Sequence, residues 1–479
     1  MNCEDTWARS DADSLPNLLE RVLKRLSLTD AANLGLTIGA PILAPAQFFV
    51  ALPNEPAVLW RAHPESCEVG LGSATVCVGT GPDPLRSIIE QSEMSFRGFQ
   101  GAGFGASAVD PRFFGGFPYA PFNHGSDQWR GFSDAEFTLP RILYRSVSSQ
   151  ASLTLFVSRS EILSSNDRAS YIELLLRFTA AMPEGGSKGA SRLAPSLIRR
   201  ADSPNRENWN QYVHDACHLI ARGELEKVVL AREMLLSCSA APDVTRILEQ
   251  LLSRNDGTVC FALRRGSSTF LGATPERLVS RRGTQIVTEA LAGSAAVSGP
   301  AALQDLLASD KNQLEHLLVV REIMARLQAI GAEISTPEAP QLRQFGPLTH
   351  LHTLLKAHKL GAPHVLVLGE QLHPTPAVGG IPFQPALDFI RTHEAFDRGR
   401  YASPVGWFDR NGDGELAVAL RTGLLTGRDV RLYAGAGLVK GSEAGSEWAE
   451  TELKFQSFLD ALGLKTEDGA QLQTWHERP

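Results

Sequence analysis

Short apolar runs separated by Gly, Pro, Asn and Ser recur in both halves of the chain, with helical segments grouped between them. From about Leu36 to Ser158 these runs have the length and punctuation of strands and turns. The second half adds KVVLARE, TVCFALRR, STFLGA, GELAVALRTGLLTG and DVRLYAGAGLV, with a long helical stretch from about Ala302 to Ile330 and a final helix, GSEWAETELKFQSFLDALG. Because the strands follow one another and do not alternate singly with helices, the pattern predicts an α+β fold and not an alternating βαβ sheet.

A linker-like segment separates the two halves. PEGGSKGASRLAPS is rich in Gly, Ser and Pro and places a boundary near residues 183–205. We therefore assign 1–204 to an N-terminal half of the fold, 205–464 to a C-terminal core and 465–479 to a tail.

The charge balance restricts the partners. Lys and Arg number 46 against 53 Asp and Glu, a net charge of -7, whereas a nucleic-acid or anionic-membrane surface needs a basic excess. A few local cations could still hold an anionic small molecule. The six cysteines lack ligand-like spacing, the acidic N-terminal segment is unlike a presequence, and prolines interrupt the longest apolar run. We expect a soluble, cytoplasmic protein that binds neither nucleic acid nor a membrane.

Two motifs resemble ligand sites but lack the required context. DRNGDGE (409–415) begins like a calcium loop, yet the twelfth position is Leu420 and both flanks have strand character, which favours a hairpin turn. GAGFGAS (101–107) is not followed by a helix, and a dinucleotide-binding loop requires one.

The final helix has the strongest chemical signal. Glu447, Glu450 and Lys454 are spaced i, i+3 and i+7 and share one face. A charged stripe alone is typical of a solvated helix face, but here YAGAGLVKGS comes directly before it, and its glycines would let backbone amides approach a ligand. Glu315, in SDKNQLEHLLVV, lies just off the apolar face of another helix. Carboxylates from two helices, together with substrate oxygens, would suit Mg²⁺.

A single lysine stands at the start of a buried strand. In EKVVLARE, Lys227 precedes the apolar residues 228–231. Partial burial disfavours the charged form of an amine, which suits a general base. The alternative is a lysine at a strand edge that extends its charge to solvent.

These and further segments together resemble the chorismate-utilising enzymes. The segments are EKVVLARE, GATPERL, TEALAGS, SDKNQLEHLLVV, LTHLHT, LHPTPAVGGIP, RGRYASPVGW, GELAVALRTG and YAGAGLVKGSEAGSEWAETELK, which cover about 205–460. This group contains isochorismate synthase, salicylate synthase, anthranilate synthase component I and aminodeoxychorismate synthase. The resemblance implies two large packed antiparallel β-sheets with helices on the outside, and a chorismate-binding catalytic core in the second half.

The resemblance implies a water-dependent isomerisation. Lys227 would activate water for attack at C2 of chorismate, and Glu276 would donate a proton to the departing C4 hydroxyl. Amine-forming members usually lack this lysine, so no glutaminase subunit is expected. Ala377, where salicylate synthases and amine-forming members usually carry Thr, and Phe383 in place of their Lys favour isochorismate synthase. A salicylate synthase and a non-catalytic anion-binding paralogue are the alternatives.

The resemblance also assigns ligands for Mg²⁺ and for the dianionic substrate. It implies that Glu315 and Glu450 bind Mg²⁺, with Glu447 binding directly or through water. The implied substrate-binding residues are Ala292, Gly293, Ser294, His350, Ala377, Tyr401, Arg421, Gly435, Gly437 and Lys454. Arg421 and Tyr401 would hold the enolpyruvyl carboxylate. Asn312 stands where some relatives carry an acid, so the outer shell of the metal site is expected to differ.

Two expectations concern the context of the reaction. We expect a monomer that acts on free chorismate. The length of the N-terminal half favours supply of isochorismate to menaquinone or phylloquinone over a siderophore or salicylate.

Overall fold

The computed structural model describes residues 31–464 except 105, 121–126, 165, 168, 171–172, 175–176, 178–194, 255–256, 297–299, 336–338 and 347. Most of the predicted linker and the whole tail, 465–479, therefore lie outside the described residues.

Consecutive runs of strands along the chain belong first to one and then to the other of two sheets. They are β1 (Asn33–Ala40), β2 (Ala57–His63), β3 (Ser66–Leu71), β4 (Thr75–Val78), β5 (Phe99–Phe104), β6 (Arg112–Gly116), β7 (Glu136–Leu139), β8 (Ile142–Val147), β9 (Gln150–Ser158), β10 (Leu197–Ser203), β11 (Lys227–Cys238), β12 (Val259–Arg265), β13 (Ser268–Thr274), β14 (Arg277–Arg282), β15 (Gln285–Ala296), β16 (Glu333–Ile334), β17 (Gln341–Phe345), β18 (Leu348–His358), β19 (Gly380–Ile381), β20 (Pro404–Asp409), β21 (Gly414–Val418), β22 (Thr422–Thr426) and β23 (Asp429–Leu438).

Helices connect the strands and pack on the sheets. They are α1 (Pro45–Val50), α2 (Pro84–Phe96), α3 (Arg159–Leu163), α4 (Arg206–Ala221), α5 (Val244–Leu252), α6 (Pro300–Ala308), α7 (Asp310–Ala329), α8 (Val365–Leu372), α9 (Phe383–His393) and α10 (Ala444–Leu462).

Two sheets form the frame of the fold, and both contain strands from each half of the chain. The first has the order β10-β11-β23-β22-β13-β12-β2-β3-β8-β9-β1-β5, with β19 beside β11, and the second has the order β16-β18-β15-β14-β21-β20-β6-β7-β4, with β17 beside β18. The pairs β12–β2 and β20–β6 join the two halves. The predicted α+β fold with two large sheets is confirmed, although β1 and β5 pair in parallel. A parallel pair requires a long connection, and here it contains α1, β2 to β4 and α2.

An apolar core fills the space between the sheets. Phe261 and Phe270 of the first sheet and Phe113, Phe408 and Leu416 of the second belong to one buried cluster. A fully buried side chain of this size contributes about 1.5–3 kcal/mol relative to an exposed one. This core holds the two sheets together, and with them the strand ends that form the site described below.

A second cluster covers the outer face of the first sheet. Leu248 and Leu251 of α5 pack with Phe455 and Phe458 of α10 and with apolar residues of β3, β12 and β23. The apolar face of α10 is thereby buried, which fixes the rotation of the helix. Its charged stripe is consequently held beside β23.

Two sequence-based expectations about local segments are tested directly. The Asp409 side chain accepts hydrogen bonds from the amides of Asn411 and Asp413 between β20 and β21, so the hairpin predicted for DRNGDGE is confirmed. Within the described ranges, no helix is long and apolar enough to cross a membrane.

Candidate active site

A cavity lies where β11, β15, β18 and β23 meet α7 and α10. It encloses about 650 Å³, counting its opening to solvent. The predicted site residues that line it are Glu276, Ala292, Gly293, Ser294, Glu315, His350, Ala377, Tyr401, Arg421, Gly435, Gly437, Glu450 and Lys454. Lys227 and Glu447 lie behind this lining.

Lys227 is the first residue of β11, and its side chain is 0% exposed. Its Nζ donates a hydrogen bond to Oε1 of Glu315 at 2.9 Å. The expectation of partial burial at a strand edge is therefore wrong, and so is the alternative in which the charge reaches solvent. The ammonium group instead pairs with the carboxylate of Glu315, and Glu315 lines the cavity.

Gly437 provides the space for this ion pair. A Cβ at this position would overlap Oε1 of Glu315 and lie 3.1 Å from Cε of Lys227. This differs from the expected role of the glycine, which was to expose a backbone amide. Burial alone would raise the pKa of Glu315, but Lys227, with Lys454 and Lys311, holds it below its usual value.

Glu276 lies between β13 and β14 and is 2% exposed. Burial raises its pKa to about 8, although Lys227 acts in the opposite direction. The Thr375 hydroxyl donates a long hydrogen bond of 3.5 Å to Oε1 of Glu276. Because a carboxyl group with this pKa is mostly protonated at neutral pH, Glu276 can donate a proton. Glu276 and Glu315, the partner of Lys227, line the same cavity.

Another side of the cavity contains an arginine that has no acidic partner among the residues the structure describes. Arg421 adopts a left-handed backbone conformation with φ of 54°, which is strained for a residue other than glycine. Burial lowers the pKa of its guanidinium to about 10. Its one side-chain hydrogen bond within the described ranges goes to Nε2 of His350, at 3.5 Å, and no described carboxylate forms a salt bridge with it. A buried cation of this kind favours an anionic ligand.

A β-bulge places Ser294 beside His350. The register of β15 and β18 shifts between Ala292 and Ser294, at Gly293, whose φ is 73°. Ser294 Oγ lies 2.9 Å from Nδ1 of His350, and burial holds the pKa of His350 well below its usual value. Because an arginine can only donate, Nε2 of this neutral ring accepts from Arg421. Nδ1–H therefore donates to Ser294, whose own hydroxyl proton can point to a ligand.

The remaining polar wall comes from β23 and α10. Nζ of Lys454 donates to the carbonyl oxygen of Gly435 at 2.8 Å and forms a salt bridge with Glu450 at 2.5 Å. The ring of Tyr401 stacks on that of Tyr433 with centroids 5.2 Å apart. Burial raises the pKa of the Tyr401 hydroxyl, so it remains a neutral donor.

The three predicted metal ligands each pair with a lysine. Besides the two pairs already described, Glu447 pairs with Lys311 at 2.6 Å. In the part of the chain that the structure describes, no three His, Cys, Asp or Glu side chains are gathered closely enough to hold a metal ion. The donor set nevertheless fits Mg²⁺, because it consists of carboxylates, Gly437 leaves room beside Glu315, and Glu450 is near enough to help raise the pKa of Glu447 after the larger effect of burial.

Sequence reasoning did not single out several residues of the site. Arg398 lines the cavity, pairs with Glu394 at 2.5 Å and donates to the carbonyl oxygens of Val229 and Val378 at 2.8 Å. It begins RGRYASPVGW, and Thr375 lies in LHPTPAVGGIP, so both stood within segments that carried the resemblance. Only their contacts distinguish them from neighbouring residues.

The chain is similar to several characterised proteins over most of its length. Residues 23–463 match the family described as "Chorismate binding enzyme". The isochorismate synthase MenF of Bacillus subtilis (strain 168) is 34% identical over 410 residues, 82% of this chain and 85% of that protein. The "Salicylate biosynthesis isochorismate synthase" of Pseudomonas aeruginosa is 35% identical over 431 residues, 88% of each chain.

Solved structures of this group have the same fold. The menaquinone-specific isochorismate synthase MenF of Escherichia coli superposes with a TM-score of 0.75 at 28% identity, covering 94% of this chain and 100% of that chain. Anthranilate synthase component I of Streptococcus pneumoniae, at 19% identity and a TM-score of 0.62 over 85% of this chain and 92% of that one, shares the fold.

Proposed function

This chain belongs to the chorismate binding enzymes, and we propose that it is an isochorismate synthase, an isomerase that moves the hydroxyl group of chorismate from C4 to C2. The observation that carries the proposal is a buried carboxyl group, Glu276, whose pKa of about 8 keeps it protonated beside a cavity that also contains the Arg421 guanidinium, which forms no salt bridge with a described carboxylate. The relatives named above as isochorismate synthases, matched over most of their length, support the same reaction.

In the proposed reaction, the amine form of Lys227 accepts a proton from a water molecule. The water oxygen forms a bond to C2, both ring double bonds shift by one position (C1=C2 to C1=C6, and C5=C6 to C4=C5), and the bond from C4 to its hydroxyl breaks. Glu276 donates the proton that lets this hydroxyl leave as water. One water enters and one leaves, and each proton transfer typically contributes about 10²–10⁴ in rate. No glutaminase subunit is required, because the nucleophile is water and not ammonia.

The substrate is held by cations and neutral donors. Arg421 is proposed to bind the enolpyruvyl carboxylate together with the Tyr401 hydroxyl, since a guanidinium can bind a carboxylate through two hydrogen bonds. The Ser294 hydroxyl and Lys454 are proposed to face the ring carboxylate. Ala377 also lines the cavity, and its lack of the hydroxyl that salicylate synthases usually carry at this position favours an isochorismate synthase.

Mg²⁺ is the proposed cofactor, held by Glu315 and Glu450, with Glu447 nearby. When bound, it would neutralise and orient the ring carboxylate of the substrate. For these carboxylates to bind it, their lysine partners must give up the salt bridges described above. The similarity to MenF over most of the chain supports supply of isochorismate to menaquinone, and the similarity to the salicylate-biosynthesis enzyme supports salicylate as the second candidate.

Product analysis tests the proposed reaction. Incubation of the purified protein with chorismate and Mg²⁺ should yield isochorismate, identified by chromatography against standards. Salicylate with pyruvate as the main products would identify a salicylate synthase instead. Absence of turnover, with chorismate still binding in a calorimeter, would identify an anion-binding protein without this activity.

The pH dependence of catalysis should report the proton donor. Since Glu276 must be protonated to act and its pKa is about 8, kcat/KM should fall at alkaline pH with an apparent pKa near 8. Measurement of initial rates from pH 6 to 10 at constant ionic strength would show this limb. A rate that stays constant up to pH 10 would contradict the role of Glu276.

A further inference from the structure

The proposed metal ligands Glu315, Glu447 and Glu450 form a glutamate cluster, and each of them pairs with a lysine. One of these three lysines has no part in the proposed chemistry. Lys227 is the proposed base, and Lys454 lines the substrate cavity. Lys311, the second residue of α7, does not line the cavity. Its Nζ lies 2.6 Å from Oε1 of Glu447 on α10.

Lys311 lies near all three proposed metal ligands. It pairs with Glu447, and Glu450 follows Glu447 by three residues on the same face of α10. Lys311 and Glu315 are four residues apart on α7 and therefore share a face of that helix. The ammonium group consequently lies within the electrostatic field of three carboxylates from two helices.

The two partners in this pair differ in exposure. The Glu447 side chain is 2% exposed, whereas that of Lys311 is 34% exposed. The carboxylate is therefore fixed in the protein, while the lysine reaches it from the solvent side and can withdraw. A buried carboxylate without a counter-charge is strongly destabilising, so a cation beside Glu447 stabilises its charged form when no metal is bound.

We propose that Lys311 is an internal counter-cation for the glutamate cluster, which a divalent cation displaces when it binds. This inference rests on the metal ligands assigned under the proposed function. Lys311 stabilises the metal-free protein by reducing repulsion among the carboxylates, and it weakens Mg²⁺ binding because two cations compete for the same charges.

Substitution of the lysine separates these two effects. Lys311→Met retains the aliphatic stem and removes the charge. Calorimetric titration with MgCl2 at constant ionic strength should give a Kd about tenfold lower than that of the wild type. In EDTA the variant should unfold at a lower temperature than the wild type, and added Mg²⁺ should raise its Tm by more.

The matched control is Lys356→Met, which removes an exposed lysine from β18. It should leave the Kd for Mg²⁺ and both unfolding temperatures unchanged. If Lys311→Met cannot be purified in folded form, Lys311→Gln removes the same charge with a polar side chain and should show the same tighter binding. An unchanged or higher Kd in the folded variant would overturn the proposal, since it would show that Lys311 only positions Glu447.

The outcome is independent of the test of the reaction. A wild-type protein that forms isochorismate but binds no Mg²⁺ would overturn the role of Lys311 and leave the isomerase intact. If Lys311→Met tightens Mg²⁺ binding but the wild-type protein makes no isochorismate, the proposed reaction is overturned and the role of Lys311 as a counter-cation stands.

Discussion

Replacing Lys227 with Met is expected to lower kcat for isochorismate formation by about 10²–10⁴. The methionine side chain approaches the length of lysine but has no nitrogen that can accept the proton of the attacking water. The loss should appear in kcat, measured by chromatography of the product at saturating chorismate and Mg²⁺. The effect is expected to be large because the Lys227 side chain is 0% exposed and paired with Glu315, so bulk water cannot easily replace it.

Two further variants separate the chemistry of Lys227 from its structural role. Lys227→Arg keeps a positive charge for Glu315, but a guanidinium cannot serve as a base, so it should be equally inactive and remain folded. Glu226→Gln changes the preceding, half-exposed residue and should retain wild-type kcat. A folded Lys227→Met variant that keeps more than a tenth of the wild-type kcat would rule out the lysine as the base. Loss of the folded circular dichroism spectrum in all Lys227 variants would instead show a structural role.

Replacing Glu276 with Gln is expected to lower kcat by a similar factor of about 10²–10⁴ and, at neutral and alkaline pH, to stabilise the fold. Burial raises the pKa of Glu276 from 4.5 to about 8, so the folded state holds a proton that the unfolded chain releases above pH 4.5. This linkage destabilises the wild type progressively as the pH rises from about 4.5 to 8, and by about 3 kcal/mol at pH 7. Glutamine does not titrate in this range, so the variant does not lose this stability as the pH rises.

The measurement compares urea unfolding of the wild type and Glu276→Gln at pH 4.5 and pH 8. The variant should be the more stable protein at pH 8, and the difference should nearly vanish at pH 4.5. Glu226→Gln, at an exposed site, should show no such dependence on pH. A variant that is less stable than the wild type at pH 8 would mean that Glu276 is ionised in the folded protein, which would remove it as the proton donor.

Much of the fold could be predicted from local pattern because strands and helices depend on the spacing of apolar residues and on turn residues. KVVLARE and DVRLYAGAGLV are strands β11 and β23, and the DRNGDGE segment forms a hairpin as predicted. The parallel pairing of β1 with β5 was not predictable, because it joins segments separated by three strands and two helices. The register between distant strands depends on packing that no local window contains.

The candidate site was predictable as a set of residues but not as an arrangement. Most of the residues assigned by resemblance line one cavity, whereas Lys227 and Glu447 lie behind its wall. The role of Lys311 was not indicated, since its importance comes from Glu447 on another helix. The left-handed backbone conformation of Arg421 could not be predicted from the sequence either, because the sequence RTG does not require it.

The α+β architecture could be read from residue order alone, since it depends on residue type and spacing. The membership in a chorismate-binding family and the candidate acidic and basic groups came from the resemblance of the motifs to that family. The protonation of Glu276, the complete burial of Lys227 and the pairing of each glutamate with its lysine were decided only by the tertiary structure. The physical reason is that a charge responds to its dielectric surroundings and to neighbouring charges. Here those neighbours come from strands and helices far apart in the chain.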